Sequence, residues 1–293
     1  LLIASAVYFL GFQVMGQTCH ETLKLLSKPE LKMLGQRKPL KNGGMSVYKY
    51  PTPNQWVRLR KILVERSVKA NPLLDPVYTA YTPGETLMLM KRSHIKAWHK
   101  EMAQYKIPNW AKIVVFVPCA KTKPWATAPR GLYKSYNRVR QLRDQGKLPS
   151  IYFVSLSEPL GIVPEEYWGD FPQYDNPGLF KEEVMRSGLF TSDWPRIGFD
   201  KKLIVPFDEL AYQKSIEQLG TVVAQFVSTN KDKTFVSFVN DAGEVTSHED
   251  MLNVAAQRLG SNIDLSSRFL KRPAPRVPPE HYIAEILRQR FLR

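Results

Sequence analysis

A thiol, two lysines and an indole lie within one short stretch, KIVVFVPCAKTKPW, which runs from Lys112 to Trp125 and carries Cys119, Lys121, Lys123 and Trp125. A cysteine flanked by cations has its thiolate stabilised and becomes nucleophilic, although a small buried cysteine is also ordinary packing at such a place. A lysine there either takes part in chemistry or contacts a phosphate as a point charge. The surrounding pattern decides whether such a loop sits where chemistry happens.

Ile113, Val114, Val115, Phe116 and Val117 form a run that is apolar on both faces and too short for a free helix, which predicts a central parallel strand. Pro118 ends its ladder, and ligands of open α/β sheets bind beyond the carboxyl ends of the strands. A helix is expected to return over 131–145. Strands are predicted at 112–117, 151–156, 202–206 and 234–239, spaced for crossover connections, so the class is α/β with a mostly parallel sheet. Asp208 is an N-cap candidate for a helix over 208–227, with Leu210, Ile216, Leu219, Val223 and Phe226 as its apolar stripe. Ser247 to Asp250 approximates a capping box, in which His248 is a helix-start residue.

The chain before this core reads as a mainly helical, basic region over 1–110. Asn54 caps a helix with Trp56, Leu59, Leu63 and Ile62 inward and Arg58, Lys61, Arg66 and Lys69 outward, and a second helix is expected from Thr82 to Tyr105. Lys24 to Gly44 reads as a loop or hinge. The opening LLIASAVYFLGFQVMG suits a buried helix or strand better than a membrane span or signal peptide. The core is expected over 111–262. A basic, proline-rich connector and a helix follow over 263–293, where Lys271 and Arg272 either track a phosphate backbone or belong to a linker that docks the last helix.

At the central loop the sequence resembles the core domain of the archaeosine synthase family, whose signature is P-C-x-x-x-K-P-Y-x-x-S-x-x-H. Pro118, Cys119, Lys123 and Pro124 match it, while Trp125, Ala128 and Gly131 stand for its tyrosine, serine and histidine. A second block, VSLSEPLGIVPEEYWGDFPQYDNPG from Val154 to Gly178, is similar to the family's serine-rich strand end, P-L-G-x-V-P and Y-D. The resemblance implies a uracil-DNA-glycosylase-like three-layer sandwich and a pocket for a nucleobase. It also implies transfer of an amine or amino acid to a modified or deazapurine base, with DNA or transfer RNA as partner.

A base taken from nucleic acid is stacked on aromatic groups and read along its edge. Trp125, Tyr174 and Phe171 are the stacking candidates, and Ser155 and Ser157 the edge contacts. Lys123, Cys119, Asp175 and Glu158 are the catalytic candidates, the carboxylates as general base or to position an amine or water. Lys121, Arg130, Lys134 and Arg138 would meet the backbone. The alternatives are a glycosylase or base-exchange enzyme, and a non-catalytic nucleic-acid-binding protein that keeps the pocket.

Composition is consistent with a polyanionic partner. Forty-two basic residues stand against 27 acidic ones in 293, a net charge of +15, which suits nucleic acid and also suits solubility or an acidic protein partner. Two cysteines give no disulfide framework and no zinc-ligand spacing, so a reducing, cytoplasmic setting without metal or cofactor is expected. Cys19 and His20 read as packing, and His94 and His99 are five apart, which argues against paired ligation from one helix face. No glycine-rich phosphate loop and no nucleophile elbow is present.

Overall fold

The computed structural model describes residues 36–39, 45–47, 50–120, 123–128, 132–148, 150–180, 198, 203–237, 239 and 247–260. The chain divides into two compact units, Leu1–Thr52 with Met185–Val205 and Pro53–Val184 with Pro206–Arg293. The expectations for the opening 16 residues and for 263–293 fall outside the described residues.

The first unit contains an antiparallel pair, β1 (Gln36–Pro39) and β2 (Met45–Val47), with Gln36 opposite Val47 and Pro39 opposite Met45. The expected loop over Lys24 to Gly44 therefore contains a strand. The strand expected over 202–206 is absent among its described residues: Leu203 to Val205 are buried, but only Leu203 makes an isolated bridge. Pro206, which has no N–H to give to a ladder, closes that run.

In the second unit α1 (Pro53–Ala70) buries Leu59 and half-buries Trp56, Ile62 and Leu63, with Arg58, Lys61, Arg66 and Lys69 exposed, as the periodicity requires. The predicted helix from Thr82 to Tyr105 is two helices, α2 (Pro83–Met90) and α3 (Ser93–Gln104). Thr82 caps α2, its side-chain oxygen accepting from the Glu85 amide at 3.2 Å, and Arg92 between the helices is extended. These helices belong to the same compact unit as the sheet.

The sheet has four strands in the order β5 (Gly161–Pro164), β4 (Ile151–Ser157), β3 (Ile113–Pro118), β6 (Thr234–Ser237). β3 is parallel to β4 and to β6, with Ile113 opposite both Ile151 and Thr234, whereas β4 and β5 are antiparallel. The class is therefore α/β with a mostly parallel sheet. Alternate residues of β3 enter two separate cores, Ile113, Val115 and Val117 in one and Val114 and Phe116 in the other, which explains why the run is apolar throughout.

Between β3 and β4 runs α4 (Leu132–Asp144), whose Tyr133, Tyr136 and Val139 join the first core. Between β5 and β6 runs α5 (Glu209–Thr229), capped by Asp208 through the Ala211 amide at 3.0 Å. Its Ile216 and Leu219 enter the first core and Val223 and Phe226 the second, but Leu210, expected in that stripe, is 63% exposed. Leu210 lies on the solvent side of the first turn, whose buried side is taken by Ala211 and Tyr212. The last element among the described residues is α6 (Ser247–Leu259).

α5 and α6 cross closely at Gly220, where an added Cβ would stand 2.6 Å from Val254 Cβ and 2.9 Å from the Met251 carbonyl. The backbone on one side of this crossing cannot yield, so Gly220→Ala is expected to lower unfolding free energy by about 1–3 kcal/mol. Denaturant unfolding checks this, and an unchanged midpoint would contradict the contact.

Candidate functional site

The carboxyl ends of β3 and β4 carry the loop that the sequence singles out. The Cys119 amide extends the ladder by donating to the Leu156 carbonyl at 3.0 Å, so the thiol emerges where β3 stops. Cys119 is half-buried. On β4 the next residue beyond the strand is Glu158, with 5% of its surface exposed.

Glu158 meets the first turn of α6. The Ser247 hydroxyl donates to Glu158 Oε1, His248 Nε2 lies 3.4 Å from Oε2, and the Cys119 thiol donates to the same Oε2 at 3.9 Å. Ser247 thus spends its hydroxyl on a carboxylate rather than on a helix cap. His248, read from sequence as a helix-start residue, is 6% exposed, and neither of its ring nitrogens has hydrogen-bond geometry to any partner.

Burial alone would push Glu158 up, but the His248 charge, its contact and the Ser247 hydroxyl outweigh it and hold the carboxyl below its usual range. Burial would push His248 down, yet the Glu158 charge, then Cys119, hold the imidazole well above its usual range. The two form a buried ion pair. His99 of α3 is the opposite case: burial pulls its pKa down, and Nε2 bonds the Pro159 carbonyl at 2.8 Å, which braces the turn next to Glu158.

Tyr174 stands beside this cluster. Its hydroxyl pairs with Ser157 Oγ at 2.6 Å, and burial, then the Cys119 charge, push its pKa far up. Lys123 Nζ lies 4.2 Å from the centre of the Tyr174 ring and 5.6 Å from that of Trp125, so the motif lysine is held over aromatic faces.

The residues expected to stack and read a base are largely committed to one another. Trp125 is 2% exposed, stacks on Tyr133 with centroids 5.0 Å apart and donates its indole N–H to the Ala120 carbonyl. Ser155, fully buried, pairs with the Tyr133 hydroxyl at 2.5 Å, and Ser157 with Tyr174. Phe171 is half-buried against Trp98 and Tyr167. These side chains build the wall of the site instead of lining an open face.

Asp175 also has a structural task. Its carboxylate accepts from Ser67 Oγ at 2.6 Å, Ser67 in turn accepts from the Tyr81 hydroxyl at 2.9 Å, and its backbone bridges to Thr79. It ties α1 to the segment after Tyr174. Lys134 and Arg138 are exposed on α4, whereas Lys121, Arg130, Lys271 and Arg272 fall outside the described residues.

Cys119, Glu158 and His248 are also the group among the described residues with the donor atoms to hold a metal ion. Comparison of the chain with protein-family models, with curated proteins and with solved structures finds no match. None of the described helices is long and apolar enough to cross a membrane.

If Asp175 anchors α1, Asp175→Ala and Ser67→Ala should each cost about 1–3 kcal/mol of unfolding free energy, and the double variant little more than either. Full additivity in denaturant unfolding would break the assignment.

Proposed function

We propose that the protein modifies a base in nucleic acid, joining an amine or amino acid to an electrophilic carbon of a modified or deazapurine base. The observation that carries this reading is the convergence of Cys119, Glu158 and His248 at the carboxyl ends of parallel strands, with Lys123 poised over Tyr174. Addition of an amine to such a carbon builds negative charge on the adjoining heteroatom, and a preorganised positive group in a water-poor site stabilises it. The resemblance to the archaeosine synthase core supplies the substrate class and, as the finer description of the fold, a uracil-DNA-glycosylase-like three-layer sandwich. The net charge of +15 and the exposed Lys134 and Arg138 support the polyanionic partner.

The test is product analysis. Transfer RNA and single- and double-stranded DNA are incubated with the protein and an amine donor such as lysine, then digested to nucleosides for mass spectrometry. A nucleoside of increased mass, lost with Lys123→Ala, is expected, and unchanged nucleosides on every substrate would contradict the proposal. Binding should weaken with salt, and the double variant Lys134→Ala, Arg138→Ala should make the slope of log affinity against log salt shallower by about 1–2 for a duplex partner. A slope that does not change would remove this helix from the interface.

A further inference from the structure

We infer that Cys119, Glu158 and His248 form a site for a single divalent cation of the zinc type. It deepens the function proposed above by naming the positive group at that site. The donor atoms Sγ, a carboxylate oxygen and an imidazole nitrogen all lie within 4.8 Å of one another. Around a tetrahedral zinc, with bonds of about 2.0–2.3 Å, ligand atoms stand roughly 3.3–3.6 Å apart. Nε2 to Oε2 is 3.4 Å and Sγ to Oε2 is 3.9 Å, so these two edges are within a few tenths of an ångström of such a set, and the thiol and imidazole would close the third from a separation of at most 4.8 Å.

The arrangement differs from a nucleophile relay. In a relay the imidazole stands between nucleophile and carboxylate and uses its two nitrogens on opposite sides. Here one carboxylate oxygen, Oε2, faces both the thiol and Nε2, and the three donor atoms lie within 4.8 Å of one another. The second observation is His248 itself, an imidazole 6% exposed whose Nδ1 has no hydrogen bond and whose Nε2 meets the Glu158 oxygen at 3.4 Å without hydrogen-bond geometry. A buried polar group of that kind is costly unless something occupies it.

The chemistry of the donors selects the ion. One sulfur, one nitrogen and one oxygen suit zinc and its neighbours rather than magnesium or calcium, which take oxygen ligands. A thiolate and a carboxylate together neutralise a divalent charge. Ser247, bonded to Oε1, fixes the carboxylate so that Oε2 turns to the metal, as outer-shell partners do. Three protein ligands leave one position for substrate or water, the pattern of catalytic rather than structural zinc, and Cys119 is only half-buried.

Sequence spacing hid this site because its ligands come from two strand ends and a distant helix. The test uses the full chain, stripped of metal with a chelator, incubated with zinc, desalted and analysed for metal. About one zinc per chain is expected for the parent, and less than about a tenth of that for Cys119→Ser and for His248→Ala. No zinc on the parent, or full retention by both variants, overturns the site. Because either variant could fail to fold, cobalt is also added to the metal-free Cys19→Ser protein, in which Cys119 is the sole thiol. A sulfur-to-cobalt charge-transfer absorption is expected, and bound cobalt without it overturns the assignment. None of these readouts needs a nucleic acid, so loss of the metal site and loss of the base-modification reading are distinguishable.

Discussion

A carboxylate with 5% of its surface exposed, set at the end of a central strand, has to be compensated or neutralised, and the compensation of Glu158 organises this end of the molecule. His248 supplies the charge and Ser247 a hydrogen bond, and both come from the first turn of α6. The position of α6 depends on α5, across the close approach at Gly220 and the Tyr212 hydroxyl bond to Asp250 at 2.5 Å. α5 in turn packs into the cores on alternate sides of β3. One buried pair therefore links the sheet, α5, α6 and the loop that carries Cys119.

The aromatic and hydroxyl pairs around this cluster give it walls that do not move easily. Tyr133 with Ser155 and Tyr174 with Ser157 satisfy four buried hydroxyls between two elements each. His99 and the Pro159 carbonyl hold the turn after Glu158 from the α3 side. Such closed pairing leaves the buried side of the cluster with satisfied hydroxyls, and a charge beside it is worth more than in water. Lys123, half-buried, is carried over the Tyr174 ring of this wall.

Much of the architecture was legible because it depends on local pattern. The β-branched run of β3 announces a strand covered on both faces, and Asp208 announces the start of α5. β5, four residues long, is too short for alternation to show, and the break between α2 and α3 at Arg92 has no proline or glycine to mark it. For the site, sequence gave residue types but not their partners. Ser155 and Trp125 looked available for a base until the fold committed their polar atoms to Tyr133 and Ala120. His248 and Ser247 could not be joined to Glu158 in advance, since Ser247 and Glu158 are 89 residues apart and local motifs carry no such distance.

Glu158 and His248 hold one another in place as a buried pair. A double-mutant cycle of Glu158→Gln and His248→Gln in metal-free protein, read by denaturant unfolding, measures this coupling with little else changed. An interaction energy above about 1 kcal/mol is expected, each single variant leaving a buried charge or ring unpaired. Additivity within about 0.5 kcal/mol would show two independent side chains and would remove the constraint on which the site rests.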